Sequence, residues 1–392
     1  MANPSSIMEN SPFLGLILLT LMFLSYIPSH SHALVDDDIN PPSIPNPRLL
    51  KAYIALKTWK HAMISDPNGF TSNWCGPKVC NYTGVFCAPA PDDPYAITVA
   101  GIDINHANIV GYLPEELGLL TDLALFHINT NHFYGKVPES FRKLNLLYEL
   151  DISNNKLSGE FPYVVLNLPS LKFLDIRFNQ FSGKIPPKLF DLKLDALFFN
   201  DNNFQSSIPE NFGNSPVSVI VMANNGLTGC FPSSSLVKMA GTLREIILMN
   251  NGFTGCLKPE LGALKGVTVF DISSNKLVGP LPDAIGEMRS LEQLNVANNK
   301  LSGYIPESIC SLPNLKNFTF SNNFFTSEPW KCLQLRAKDD RKNCIPYRPL
   351  QSSPMECKSF YAHPLDCSIS GCSPRPRPPP PPPPPHVYQY WP

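Results

Sequence analysis

The chain has 392 residues, a formal net charge of −1, 43% hydrophobic residues, 42 prolines and 11 cysteines. The charge balance excludes the basic excess of a nucleic-acid-binding chain, and the apolar content is enough for a sizeable core. The length exceeds that of a typical single domain, which leaves a multidomain chain or a repeat array.

Residues 1–33 read as a secretory signal peptide. An apolar run from Phe13 to Ile27 has polar flanks and is followed by the small-residue site Ser31-His32-Ala33. The run is shorter than the about 20 apolar residues that a spanning helix needs. No second hydrophobic segment of membrane length occurs in the sequence, so no membrane span is expected. Export predicts that most cysteines form structural disulfides, and their odd number leaves one thiol free or paired between chains. Two sequons, Asn81-Tyr82-Thr83 and Asn317-Phe318-Thr319, predict glycosylation at Asn81 and Asn317.

Residues 34–98 read as an N-terminal cap. Within them, residues 48–70 have helix periodicity at Leu49, Tyr53, Leu56, Trp59 and Met63. Ten repeats follow over residues 99–326. The block Leu147-Tyr-Glu-Leu150-Asp-Ile152-Ser-Asn-Asn155-Lys-Leu157-Ser-Gly159-Glu-Phe-Pro162 returns at Leu171–Pro186 and Leu291–Pro306. Its inner asparagine recurs at Asn131, Asn155, Asn179, Asn202, Asn225, Asn251, Asn275, Asn299 and Asn323, at intervals of 23 to 26 residues. Ala107 holds the equivalent place in a degenerate first copy.

In each copy the L-x-x-L-x-L segment predicts a short strand whose apolar residues enter a common core. The asparagine predicts a buried ladder, its amide bonding backbone groups of the turn and of the next coil. The glycine (Gly159, Gly183, Gly229, Gly303) permits a backbone conformation that larger residues resist. No single coil buries its apolar face alone, so the array holds by stacking. Ser206 replaces the glycine in the fifth copy, and Lys258 replaces the proline in the seventh. The repeats resemble the plant-specific leucine-rich class. That resemblance implies an α/β solenoid, a right-handed superhelix with a parallel sheet on its concave face and disulfide-bonded caps.

Cys230 and Cys256 each follow a repeat glycine, so adjacent coils place them within disulfide reach. Cys310 and Cys332 flank the last repeat and are expected to close the C-terminal cap. Residues 327–372 form a C-terminal cap and Cys-rich hinge holding Cys344, Cys357, Cys367 and Cys372, whose connectivity stays open. The hinge lacks the C-x₂-C spacing of a zinc site, so no metal or other cofactor is expected. The tail, residues 373–392, contains an unbroken proline run from Pro378 to Pro385. Polyproline has no backbone donors and packs no core, so a disordered, extended tail is predicted.

The segment Asn73-Trp-Cys75-Gly-Pro-Lys-Val-Cys80-Asn-Tyr-Thr-Gly-Val-Phe-Cys87 resembles the N-terminal cap of plant repeat ectodomains, which implies a Cys80–Cys87 bond and leaves Cys75 over, unless a hinge cysteine is the unpaired one. The order of parts, with Val99–Ala107, Gly111–Asp122 and Asp340–Cys344, resembles the leucine-rich repeat extensins of plant cell walls. The resemblance implies a wall-anchored adaptor whose repeats bind rapid alkalinization factor peptides (small, basic and cysteine-containing), so that the module modulates wall formation and growth. It also implies a hydroxyproline-bearing tail that attaches to wall polymers. Here the tail keeps only Ser373-Pro374 of the Ser-Pro pattern, with Tyr388 and Tyr390 as a cross-linking pair, so the chain reads as a short-tailed member.

On the concave face, the middle residues of the L-x-L segments are Asp103, His127, Asp151, Asp175, Phe198, Val221, Ile247, Asp271, Asn295 and Thr319. Phe198, Val221 and Ile247 fall on adjacent rungs, flanked by Phe173, Val219 and Met249. A contiguous apolar patch of this kind marks a partner site. Its acidic surround of Glu149, Asp151, Asp175, Asp195, Asp201, Glu245 and Asp271 favours a basic partner. A receptor-kinase ectodomain and a disulfide-linked second copy are further candidate partners. No H-E-x-x-H, P-loop or nucleophile elbow occurs, and His106 and His127 near Asp103 read as solvated, so catalysis is not expected. Two alternative functions remain: an inhibitor of wall-degrading polygalacturonases, whose family lacks the hinge and proline tail, and a structural wall glycoprotein, which calls for a fuller Ser-Pro tail.

Overall fold

The computed structural model describes residues 43–363 together with Leu365, Cys367 and Cys372. The expected signal peptide and proline-rich tail, with Tyr388 and Tyr390, lie outside the described residues.

The first element is a cap helix, Pro47–Ala62. Asn46 caps it by accepting from the Arg48 and Leu49 amides, and Pro47 suits the first turn, where no amide donor is needed. Its Trp59 is fully buried against Trp74, Phe126 and Phe133, so the helix seals the raw end of the stack. The helix is shorter than the periodicity of residues 48–70 implies. Pro67 has no amide to continue a helix, and the Asp66 carboxylate accepts from the amides of Phe70 and Thr71, closing a loop instead. Met63–Ser65 becomes a short strand antiparallel to Val110–Tyr112.

Twelve strands form the main sheet. It opens with an antiparallel hairpin, Val85–Ala90 and Asp93–Asp103, and continues as parallel three-residue strands from Leu125–His127 to Ala337–Asp339. The central residue of each strand enters the core: Phe126, Leu150, Leu174, Leu197, Ile220, Ile246, Phe270, Leu294 and Phe318 are all buried. Each such side chain contributes about 1.5–3 kcal/mol by leaving water. The residues on either side of it face the concave surface.

The asparagines form the expected ladder, with one difference: the coil they bond is the preceding one, not the next. Asn155 Oδ1 accepts from the Phe133 amide at 2.9 Å, and its Nδ2 donates to Ile128 O at 2.9 Å, both one coil back. Nδ2 also donates to Ile152 O and Ser153 O of its own coil. The direction follows from the turn, in which the residue before each asparagine takes a left-handed conformation, as at Asn154 (φ 52°). Asn154, Asn224, Asn250, Asn298 and Asn322 hold that position in five coils, and Phe178 holds it in a sixth.

The back of each coil carries a short 3₁₀ turn, for example Glu139–Lys143. The 26-residue interval between Asn225 and Asn251 is taken up by a six-residue α-helix, Ser233–Lys238. Between the concave sheet and the back run a six-stranded and a five-stranded flank sheet. They divide at the coil of Ser206, where an isolated Ser207–Thr228 bridge and the Gly226 and Thr228 amides, donating to Phe204 O and Ser206 O, link the two. Where other coils have glycine at φ of 79–99°, Ser206 does not adopt that conformation, and the regular flank strands are interrupted there.

The array also runs past Phe325. Ala337–Asp339 adds a parallel strand beside Asn317–Thr319. Fully buried Asn343 repeats the ladder, accepting from the Phe325 amide and donating to Phe320 O. The residues read as a cap thus begin with an eleventh coil.

The disulfides are Cys80–Cys87, Cys310–Cys332, Cys344–Cys357, Cys256–Cys367 and Cys230–Cys372. The expected Cys230–Cys256 bond is not formed. Cys230 lies in register with Thr254, not Cys256, and Cys372 and Cys367 supply the partners of Cys230 and Cys256. Cys75 is a free, exposed thiol.

Candidate functional site

The register sets the concave side chains in rows. One row runs Glu149, Phe173, Ala196, Val219, Glu245, Val269. The next runs Asp151, Asp175, Phe198, Val221, Ile247, Asp271. The sequence-predicted apolar residues Phe173, Phe198, Val219, Val221, Ile247 and Met249 are all half-buried, and the first five fall on these neighbouring rungs. Phe173 and Phe198 touch, their ring centroids 5.6 Å apart. The result is an apolar strip across four coils, closed at both ends by carboxylates.

The acidic residues divide. Asp151 and Asp271 keep to the rims of the strip, each accepting from the amide of the serine two residues on, Ser153 or Ser273. Glu149 lies 3.1 Å from His127 Nε2, and Glu245 is a half-buried flank. Asp195 is exposed but sits before its strand, where its carbonyl accepts from the Ser218 amide. Asp201 belongs to the turn ladder, its Oδ1 accepting from the Asn224 side-chain Nδ2 at 2.8 Å. Asn81 and Asn317 are exposed, the latter on the last repeat's concave strand.

Asp175 departs from expectation. It is fully buried, not part of an exposed acidic surround. Arg177 covers it: Nε lies 2.9 Å from Oδ2, and the guanidinium carbon sits 5.1 Å from the Phe198 ring centroid. The Arg177 amide donates to Oδ1 at 3.1 Å. Burial pushes the Asp175 carboxyl up to about 7, with neighbouring Asp151 adding to the rise and Arg177 opposing it. Sequence reasoning missed Arg177. The signal was available: it stands where sister coils carry Ser153 or Ser273.

A leucine-rich repeat N-terminal domain model matches residues 53–88, and a leucine-rich repeat model matches residues 146–168, 170–192 and 290–312. Leucine-rich repeat extensin-like protein 6 of Arabidopsis thaliana is 72% identical over 333 residues, covering 85% of this chain and 71% of that protein. The chain belongs to the leucine-rich repeat extensin-like family.

Extensin-like protein 7 of the same plant is 54% identical, with 92% of this chain and 85% of that protein covered. Extensin-like protein 3 is 66% identical, but the match spans only 44% of its length. Among solved structures, the Arabidopsis receptor kinase HAESA, in complex with the peptide hormone IDA and a co-receptor, is 25% identical at a TM-score of 0.62. It covers 75% of this chain and 54% of that one. A TDR receptor is 30% identical at a TM-score of 0.59, covering 63% and 44%. A plant ice-binding protein shares the fold at 24% identity and a TM-score of 0.63, with 78% and 98% covered.

Proposed function

We propose that this extensin-like module is a secreted cell-wall adaptor that binds small, basic, cysteine-containing peptides of the rapid alkalinization factor type on its concave face and takes no part in catalysis. The observation that carries this reading is the apolar strip of Phe173, Phe198, Val219, Val221 and Ile247, with carboxylates at both ends. Half-buried aromatic and branched side chains in two adjoining rows offer a partner desolvation energy, and the rim charges select its sign. The HAESA likeness adds weight, since that receptor was solved with a peptide hormone bound. In the cell-wall setting the proline-rich tail attaches to wall polymers, and a receptor-kinase ectodomain shares the bound peptide. Exposed Cys75 links two copies.

Phe198→Asp combined with Ile247→Asp tests the strip. Both residues are half-buried on the surface side of their strands, so the variant stays folded. Calorimetric titration with oxidised rapid alkalinization factor peptides is expected to show at least a hundredfold loss of affinity. Unchanged affinity overturns the assignment.

A further inference from the structure

Resting on that reading, we propose that the pocket formed by Asp175, Asp151 and the Phe198 ring receives one guanidinium group of the bound peptide, and that Arg177 occupies this pocket in the free protein. Arg177 is then a specificity residue: an internal stand-in for the ligand's own cation.

Four observations converge on this point. Asp151, Asp175 and Phe198 are register neighbours on three consecutive strands, so Asp175 lies between a second carboxylate and an aromatic ring. The pocket already holds a guanidinium, 2.9 Å from Asp175 Oδ2 and 5.1 Å from the Phe198 centroid, which shows that its shape and charge accept one. The occupancy is imperfect: Oδ2 is buried and accepts no directed hydrogen bond, so the guanidinium's contact with it is ionic only. The charge does not close either. Over positions 149–151, 173–177 and 196–198 the sequence places Glu149, Asp151 and Asp175 against one fixed cation, Arg177. His127 contacts Glu149, and the following strand, Ala196–Phe198, brings no titratable group.

The local backbone supports a site held for binding. The residue after Arg177 is Phe178, at φ 51° with its ring exposed, where five sister coils use asparagine. A bulky residue in the left-handed region costs about 1 kcal/mol, and such strain concentrates where ligands are clamped. Arg177 itself is 39% exposed, so it can swing off Asp175 without disturbing the core. A ligand arginine entering with hydrogen-bond geometry would satisfy Oδ2 and stack on Phe198, a charge-assisted contact in a dry setting.

The test uses the full-length secreted protein, oxidised rapid alkalinization factor peptides and the same peptides with each arginine replaced in turn by citrulline, all at pH 8. One citrulline replacement is expected to weaken binding at least tenfold in the wild type and to have almost no effect in Asp175→Asn. Arg177→Gln is expected to tighten binding at least threefold, the opposite of what a merely structural ion pair predicts. The proposal is overturned if every citrulline effect is equal in wild type and Asp175→Asn, or if Arg177→Gln weakens binding. If peptides bind and the strip variant abolishes it while these couplings are absent, only this inference falls. If no peptide binds the wild type, both readings fall.

Discussion

Asp175 occupies a position at which its sister aspartates stay partly wetted, and the difference comes from two neighbours. Phe198 on the next coil and Arg177 on its own close over it. Burial then holds the carboxyl at about 7, against an ordinary value of 3.8. An acid raised in this way binds its proton more tightly in the folded chain than in the unfolded one. Its penalty on stability is absent below pH about 4, grows as the pH rises toward 7, and is complete above that. At about 1.36 kcal/mol per unit, the full penalty approaches about 4 kcal/mol. Asp175→Asn keeps an acceptor for the Arg177 amide and removes the titration. Thermal melts should therefore coincide for the two proteins at pH 4.5 and separate at pH 8, the variant melting higher. A constant offset across that range would show that ionisation of Asp175 does not set the difference. The same substitution weakens cation binding in the scheme above, so stability and binding move in opposite directions at one residue.

At the scale of the coil, the asparagine ladder is the element that fixes register. Each amide replaces hydrogen bonds that two turns lack, and each such bond contributes about 1 kcal/mol, with a larger cost when a buried partner is left unmade. Asn343 makes this contribution for the eleventh coil through the Phe325 amide and the carbonyls of Phe320 and Asp340. Asn343→Ala should lower stability by about 2–4 kcal/mol and raise amide exchange in Ala337–Asp339 before it does so in the middle coils. A loss below about 0.5 kcal/mol in chemical denaturation would mean that the terminal coil is held by its disulfides alone. The ten ordinary coils were legible because the asparagines of nine of them recur at nearly constant intervals, a signal that chance does not produce. The eleventh was not: Asn343 follows Asn323 after only 20 residues, and its strand, Ala337-Lys338-Asp339, has no leucine pattern. The apolar strip was legible for the same reason as the fold, since register follows from the repeat. Burial of Asp175 was not, because it depends on which side chains two different coils happen to bring together. The course of residues 363–372 carries no periodicity at all, so the partners of Cys230 and Cys256 could be read only from three dimensions.

Those two bonds matter for the molecule as a whole. In a solenoid each coil touches only its neighbours, so stability is nearly a sum of local terms and the ends can open independently. Cys230–Cys372 and Cys256–Cys367 break that locality, joining residues 142 and 111 positions apart. Loops of that size remove about 4–5 kcal/mol of unfolded-state freedom when first closed, and less for a second, nested bond. Cys80–Cys87, separated by 7 residues, constrains far less. The consequence is that the coils from Thr228 to the C-terminal helix Pro354–Ala362 unfold together, while the N-terminal coils rely on stacking and the cap helix. Packing supports this arrangement at Gly279, whose φ of 79° and missing side chain leave room for Cys256 and Cys367; a Cβ there would lie 2.8 and 2.9 Å from their sulfurs. Replacing Cys230, Cys256, Cys367 and Cys372 together by serine, which leaves no stray thiol to form a Cys230–Cys256 bond, should split one calorimetric transition into two. Hydrogen exchange should then rise in strands from Val219–Val221 onward and stay unchanged in Leu125–His127 and Glu149–Asp151. Because the apolar strip proposed to bind peptide spans the boundary between the two halves, the variant should also bind peptide more weakly without any change in the strip's own side chains. A single transition at an unshifted midpoint would show that stacking alone makes the array cooperative, and that the two long-range disulfides serve some purpose other than joining it.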